Sequence, residues 1–458
     1  MNESPYSENS IHILTPHDLA VTGKSVARLD GMAVFLDKGL PGETVRAEIT
    51  ARKKRFAEAR VLETISSSPD ERPTFCEYGT TCGGCAWTTL AYEAECSWKE
   101  RQVKETLRRI GKVNFDGDTE YLPITPSPRP LHYRNKMEFA FGLDEGGTPA
   151  LGLRKRSSHE IIAVEDCPLH AHSVREILSF ARDWLREHGL SVWDGHGGFC
   201  RFLVVRSPDD IRDGKRQCVI ECITSPGSEK EKSAVAALGK TLIDAGAASG
   251  FIHSIRKSKG NVAYGETIVA SMGEKVITEK FGHLVLMAPV RAFMQANTLA
   301  ATLLYDQVRE YAGASYGVVW DIYCGIGGIG LYLAGEGVTV RGIETTPEAV
   351  RFAQINAKNM PGDIAFICGN ADEAFKTLFP APDIVITDPP RAGMGEKLTA
   401  TLLRKKPRRL IAVSCDAASL ARDIAMLSPA YTVKSARAFD LFPKTPHVEV
   451  VSLLERRD

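Results

Sequence analysis

The sequence predicts a multidomain chain. An N-terminal β-barrel is expected over residues 10–66, a central α+β domain from 69–90 and 126–278, and a C-terminal Rossmann-like α/β domain from 91–125 and 279–458. Three observations predict it. The chain has 458 residues, more than one hydrophobic core usually organises. Its N-terminal stretch alternates short apolar runs with turn residues. From about Phe281 onward, strands alternate with amphipathic helices, the pattern of a parallel sheet covered on both faces.

The barrel reading rests on Ile11 to Thr64, where turns at Gly23, Asp30-Gly31, Gly39 and Pro41-Gly42 separate strand-length runs of an antiparallel barrel. Its later part sets Arg46, Arg52, Lys53, Lys54, Arg55 and Arg60 around Phe56. Cations that meet phosphates and a ring that stacks on bases suit a nucleic-acid surface, and a solvated hairpin tip explains the same residues. Lys plus Arg and Asp plus Glu both number 57, so any such surface must be local.

A Ser-Pro-Asp linker leads to Cys76, Cys82 and Cys85, spaced C-x5-C-x2-C, and Cys167 stands directly before Pro168. Four thiolates can hold a [4Fe-4S] cluster or zinc, and spacing alone does not separate the two. Eleven cysteines with no secretory pattern in MNESPYSENS point to reduced thiols, ligands or catalytic groups rather than disulfides. A cytoplasmic protein is expected. Between Tyr92 and Ile110 the spacing of Trp98, Val103, Leu107 and Ile110 predicts a helix stopped at Gly111. Beyond the prolines at 123, 126, 128 and 130, strands KMEFAFGL, RFLVVRS and QCVIECI mix with the helix SVREILSFARDWLREHG.

The C-terminal strands are VVWDIYC, VTVRGIE, IAFICGN, DIVITDPP and RRLIAVSC, with one helix opening at Thr346-Pro347. Ligands of such sheets bind beyond the carboxyl ends of the strands. Those ends hold Asp321 to Gly330, Glu344, Asn370, Asp388 and Cys415. The loop GIGGIG, Gly325 to Gly330, lets backbone approach a ligand closely, and Glu344 is placed to accept hydrogen bonds from ribose hydroxyls. Asp388, in TDPPRAG, suits a helix cap equally well. Cys415 stands before a helix opening near Asp416, where amides and dipole favour a thiolate and the aspartate opposes it. FPKTPHVE puts His447 and Glu449 at the opening of a further strand.

The ordered set FMQAN at Phe293, DIYCG at Asp321, DPPRAG at Asp388, SC at Ser414 and FPKTPHVE at Phe442 resembles the RNA (uracil-5-)-methyltransferase family, whose larger members act on 23S ribosomal RNA. The resemblance covers nearly the whole chain and implies a TRAM barrel, OB-like in form, and a class I methyltransferase domain. It implies an S-adenosyl-L-methionine site lined by Gln295, Tyr323, Gly328, Glu344, Asn370 and Asp388, with Cys415 as nucleophile and Glu449 as base. It also implies a [4Fe-4S] cluster on Cys76, Cys82, Cys85 and Cys167, and an RNA substrate for a monomer. Two positions depart from the pattern: Gly328 stands where relatives often have Asn, and Asp416-Ala417 replaces a frequent Asn-Pro.

Uracil C5 is too weak a nucleophile to take a sulfonium methyl unaided, so a thiolate adding to C6 and a base for the C5 proton are both needed. Amino-group methyltransferases also carry Asp-Pro-Pro, usually followed by an aromatic where Arg391 stands here. A non-catalytic RNA-binding or ribosome assembly factor would use the barrel and leave Cys415 and Glu449 unemployed. A nicotinamide oxidoreductase would explain only the glycine loop. Having both barrel and cysteine cluster resembles the enzymes that modify 23S ribosomal RNA more than the short transfer-RNA enzymes, although related longer proteins also use transfer RNA.

Overall fold

The computed structural model describes residues 7–209 and 217–457. The first six residues, on which the reading of the leader partly rests, lie outside them. The N-terminal unit is a six-stranded sheet around Val34, Leu36, Val45, Ala47 and Ile49, each fully buried. The sequence suggests a wholly antiparallel barrel, but Met32–Leu36 runs parallel to Phe56–Ser66. The long hairpin Thr44–Arg52 and Phe56–Ser66 brings its second strand back beside the earlier one, a long-range pairing that turn spacing does not report.

The central sheet has seven strands, and its inner ones are buried end to end, as in Cys200–Arg206 and Val219–Thr224. Side chains alternate between the faces of a strand. Leu203, Val205, Ile220 and Cys222 accordingly face helices Arg175–His188 and Glu229–Asp244, while Phe202, Val204, Val219 and Ile223 face the C-terminal unit. Burial on both faces explains the uninterrupted apolar runs.

The C-terminal sheet has eight strands in the order Asp363–Cys368, Thr339–Glu344, Val318–Ile322, Ile384–Thr387, Arg409–Ser414, Glu449–Arg456, Tyr431–Phe439 and Glu120–Thr125. The first five are mutually parallel, and Glu449–Arg456 is antiparallel to both of its neighbours. The order reverses at Val318–Ile322, which creates a crevice above its carboxyl end. Helix Tyr92–Arg109 packs on this sheet through Val103 and Leu107, and the chain turns tightly at Gly111, where a Cβ would sit 2.8 Å from the Leu107 carbonyl. Among the described residues no helix is long and apolar enough to cross a membrane.

Candidate active site

The strand Val318–Ile322 ends in the loop that opens the crevice. Tyr323 (φ 68°), Gly325 (φ 53°) and Gly327 (φ 87°) take left-handed conformations, which fold the glycine loop back over the sheet. Asp321 anchors it, its carboxylate accepting the Gly330 amide at 2.8 Å. A Cβ on Gly330 would lie 2.9 Å from that carboxylate oxygen, so the loop closes only around glycine. Burial pushes Asp321 up to about 7.

Glu344 accepts the Gly325 amide (3.3 Å) and the Thr346 amide (2.8 Å), which fixes its carboxylate at the strand end. Asn370 accepts the Asp372 amide through Oδ1 at 3.0 Å. Gln295, Tyr323, Gly328 and Asp388 line one pocket with the loop. Gln295 is buried with its Oε1 unpartnered, an acceptor waiting for a donor. Arg206, wholly buried, holds the preceding segment by donating to the Val290, Ala292 and Met294 carbonyls. Asn135 holds Gln295 itself, its Nδ2 donating to the Gln295 carbonyl at 3.0 Å.

The Arg409–Ser414 strand pairs with Glu449–Arg456 so that Ser414 faces Val450. One step further lie Cys415 and Glu449, side by side at the ladder's open end. Cys415 is half-buried and Glu449 buried, with Oε2 unpartnered. Burial, then the Glu449 and Asp388 carboxylates, push the Cys415 thiol up to about 11, and Arg391 pulls it back. Burial and Asp388 likewise raise Glu449 well above the carboxylate range, again against Arg391. Helix Ala417–Leu427 starts without the Asn-Pro pair because Asp416 itself caps it, accepting the Ser419 amide at 2.7 Å. His447 is exposed and meets Arg391 at 3.4 Å.

Sequence reasoning missed a buried ion network behind this strand end. Lys99 Nζ lies 2.7 Å from both Glu95 Oε1 and Asp440 Oδ1, and Lys444 Nζ is 3.4 Å from Glu95 Oε2. The Lys444 carbonyl accepts from the Ala86 and Trp87 amides, which ties the segment of Phe442 to Glu449 to the cysteine-rich segment. The signal was present as Glu95 and Lys99 at i, i+4, a spacing usually met on solvated helix faces.

Cys76, Cys82, Cys85 and Cys167 line a cavity of about 360 Å³ together with Arg134. Burial pushes Cys85 up to about 12 and Cys167 up to about 11, and each feels other cysteines of the group. Among the described residues, no three His, Cys, Asp or Glu side chains are close enough to form a ready metal site. In the barrel, Lys53, Lys54 and Arg55 are exposed at the hairpin tip, while Arg46 and Arg60 pair with Glu63 and Glu48. Phe56 packs edge-on against Phe35 at 5.3 Å, as a barrel ring would.

Residues 377–457 match the family described as tRNA (Uracil-5-)-methyltransferase, and residues 17–62 match the TRAM domain. An uncharacterized RNA methyltransferase of Nitratidesulfovibrio vulgaris is 42% identical over 456 residues, covering 97% of this chain and 96% of that one. One from Halalkalibacterium halodurans is 31% identical over 466 residues, covering 100% and 99%. The Pyrococcus abyssi tRNA (uracil-54, C5)-methyltransferase in complex with S-adenosyl-L-homocysteine superposes with a TM-score of 0.76 at 25% identity, covering 97% of this chain and 100% of that one.

Proposed function

The chain belongs to the S-adenosyl-L-methionine-dependent RNA (uracil-5-)-methyltransferases, and from that premise we propose that it methylates C5 of a uridine in 23S ribosomal RNA through a transient bond between Cys415 and C6 of the base. The observation that carries this reading is the closeness of Cys415 and Glu449 just past the Ser414–Val450 pair, each feeling the Asp388 carboxylate of the Gln295 pocket.

The strand-end residues fit the cofactor: Glu344, bonded to the Gly325 amide of the glycine loop, suits the ribose hydroxyls, Asn370, which lines a neighbouring pocket, suits the base side, and the orphaned Gln295 oxygen suits an ammonium. When bound, S-adenosyl-L-methionine supplies an electrophilic methyl group on sulfur. Arg391 favours the Cys415 thiolate against burial and the two carboxylates that oppose it, and the thiolate, once its proton has left, adds to uracil C6 and leaves electron density at C5. After C5 is methylated, Glu449 takes the C5 proton. The electron pair of that C–H bond then expels the Cys415 thiolate and restores the ring.

The proposal extends to the other units. Residues 10–66 hold RNA through the tip at Lys53, Lys54 and Arg55. Residues 69–90 and 126–278 carry the cysteines, and 91–125 with 279–458 perform the transfer. Cys76, Cys82, Cys85 and Cys167 would hold a [4Fe-4S] cluster that braces the two segments they come from, with Arg134 beside the charged group. Zinc on the same four thiolates is the alternative that their spacing leaves open. The enzyme is proposed to act as a cytoplasmic monomer. A second reading, a transfer-RNA uridine, is favoured by the whole-chain likeness to the Pyrococcus abyssi tRNA (uracil-54, C5)-methyltransferase. Mass-spectrometric mapping of 5-methyluridine in ribosomal and transfer RNA, from cells with and without the protein, decides between them. Unchanged maps in both RNAs would overturn the proposal.

A further inference from the structure

Tyr305, on helix Thr298–Ala312, was not among the residues expected at the site, yet it lines the same pocket as Gln295, Asp321 and Asp388. Its ring is fixed by stacking on Phe281 at 5.6 Å and by an edge contact with Tyr332 at 5.4 Å. The neighbouring phenols are occupied, that of Tyr332 donating to Asp306 (2.7 Å) and that of Tyr311 meeting Ser435 (2.8 Å). The Tyr305 hydroxyl instead points at Gly328. A Cβ built on Gly328 would sit 2.8 Å from that oxygen and an ordinary 3.5 Å from the ring carbon that bears it. The hydroxyl thus fills the space that a side chain at position 328 would need.

The pocket's chemistry says what this hydroxyl can do. With Glu344 at the ribose and Cys415 at the reacting carbon, the remaining amino-acid end of the cofactor is directed at Gln295, Asp321 and Gly328. A carboxylate accepts hydrogen bonds, and Asp321, Asp388 and the unpartnered Gln295 Oε1 offer it acceptors, so its partner in this pocket must be a donor. Burial holds the Tyr305 phenol above its ordinary range, so it keeps its proton and can donate. Resting on the reading of this pocket as the cofactor site, we propose that Tyr305 binds the cofactor's α-carboxylate through its hydroxyl, and that glycine at position 328 is required to admit it.

Calorimetric titration of the full chain with S-adenosyl-L-homocysteine tests this, with 5′-methylthioadenosine, which lacks the amino-acid end, as the second probe. Tyr305→Phe should weaken S-adenosyl-L-homocysteine about tenfold, the loss of one hydrogen bond to a charged group, and leave 5′-methylthioadenosine unchanged. Gly328→Ala should weaken the first probe to a similar degree by displacing the hydroxyl. In the Tyr305→Phe background the same substitution should add less than about twofold, because only the oxygen conflicts with the new methyl. Equal binding of S-adenosyl-L-homocysteine by the parent and Tyr305→Phe overturns the inference while the cofactor reading stands. So do equal losses for both probes, or independent effects of the two substitutions. A parent chain that binds neither probe overturns both.

Discussion

Lys99 and Asp440 meet at 2.7 Å with both side chains shut off from solvent, although 341 residues separate them. Two charges buried together repay their desolvation only while each has its partner. Lys99→Met leaves Asp440 without its cation and Glu95 with Lys444 alone, and should cost about 3–5 kcal/mol of stability, read from urea unfolding. An unchanged midpoint and slope would mean the network contributes nothing.

Removing the Cys415 sulfur should abolish 5-methyluridine formation while S-adenosyl-L-homocysteine still binds. Cys415→Ala that methylates fully would refute the covalent route. Glu449→Gln keeps the nucleophile and lacks the base, so a protein–RNA adduct that survives denaturing electrophoresis should accumulate.

Glu279 is buried against Asn135 and Asp209, and burial pushes it up to about 7. Below pH ~4 it is protonated in both folded and unfolded chains. Between there and pH 7 the unfolded chain releases the proton and the folded one keeps it, so stability falls as pH rises. Glu279→Gln escapes that cost. Its stability relative to the parent should grow by on the order of 2 kcal/mol from pH 5 to pH 7.5, measured by denaturant unfolding at each pH. A difference that stays flat with pH would contradict the burial argument.

Purified without oxygen, the protein should be coloured and contain about four iron and four sulfide per chain. Cys85→Ser should lose that absorbance. A colourless parent carrying zinc would replace the cluster assignment.

The barrel's role is separable from catalysis. Replacing Lys53, Lys54 and Arg55 by alanine should weaken RNA binding and flatten its salt dependence by about 2 in slope, leaving S-adenosyl-L-homocysteine affinity alone. Filter-binding titrations across a salt series measure it, and an unaltered slope would place the RNA elsewhere.

The strand ends were legible because parallel strands leave a periodic apolar record and stop at unusual residues: Asp321, Glu344, Asp388 and Cys415 all fall where that record breaks. What escaped depends on partners distant in the chain. Glu95 and Lys99 share a local spacing with surface pairs, and nothing near them announces Asp440. Tyr305 reads as one more apolar position of its helix, because its hydroxyl acquires meaning only from the missing side chain at Gly328. Phe56 looked available for stacking on a base, and its contact with Phe35 comes from a parallel pairing that turn spacing does not encode.

The edge strand Glu120–Thr125 lies parallel to Tyr431–Phe439, and Thr119 Oγ1 donates to the Val433 carbonyl across 314 residues. On the ribosome, an early segment must therefore wait for a late one. At roughly 5–20 residues per second the delay is on the order of tens of seconds, during which the apolar face of helix Tyr92–Arg109 has no sheet to cover it. The barrel can close while synthesis continues, but the catalytic unit is sealed only as the last strands emerge, and a nascent chain stalled before them presents that face to chaperones.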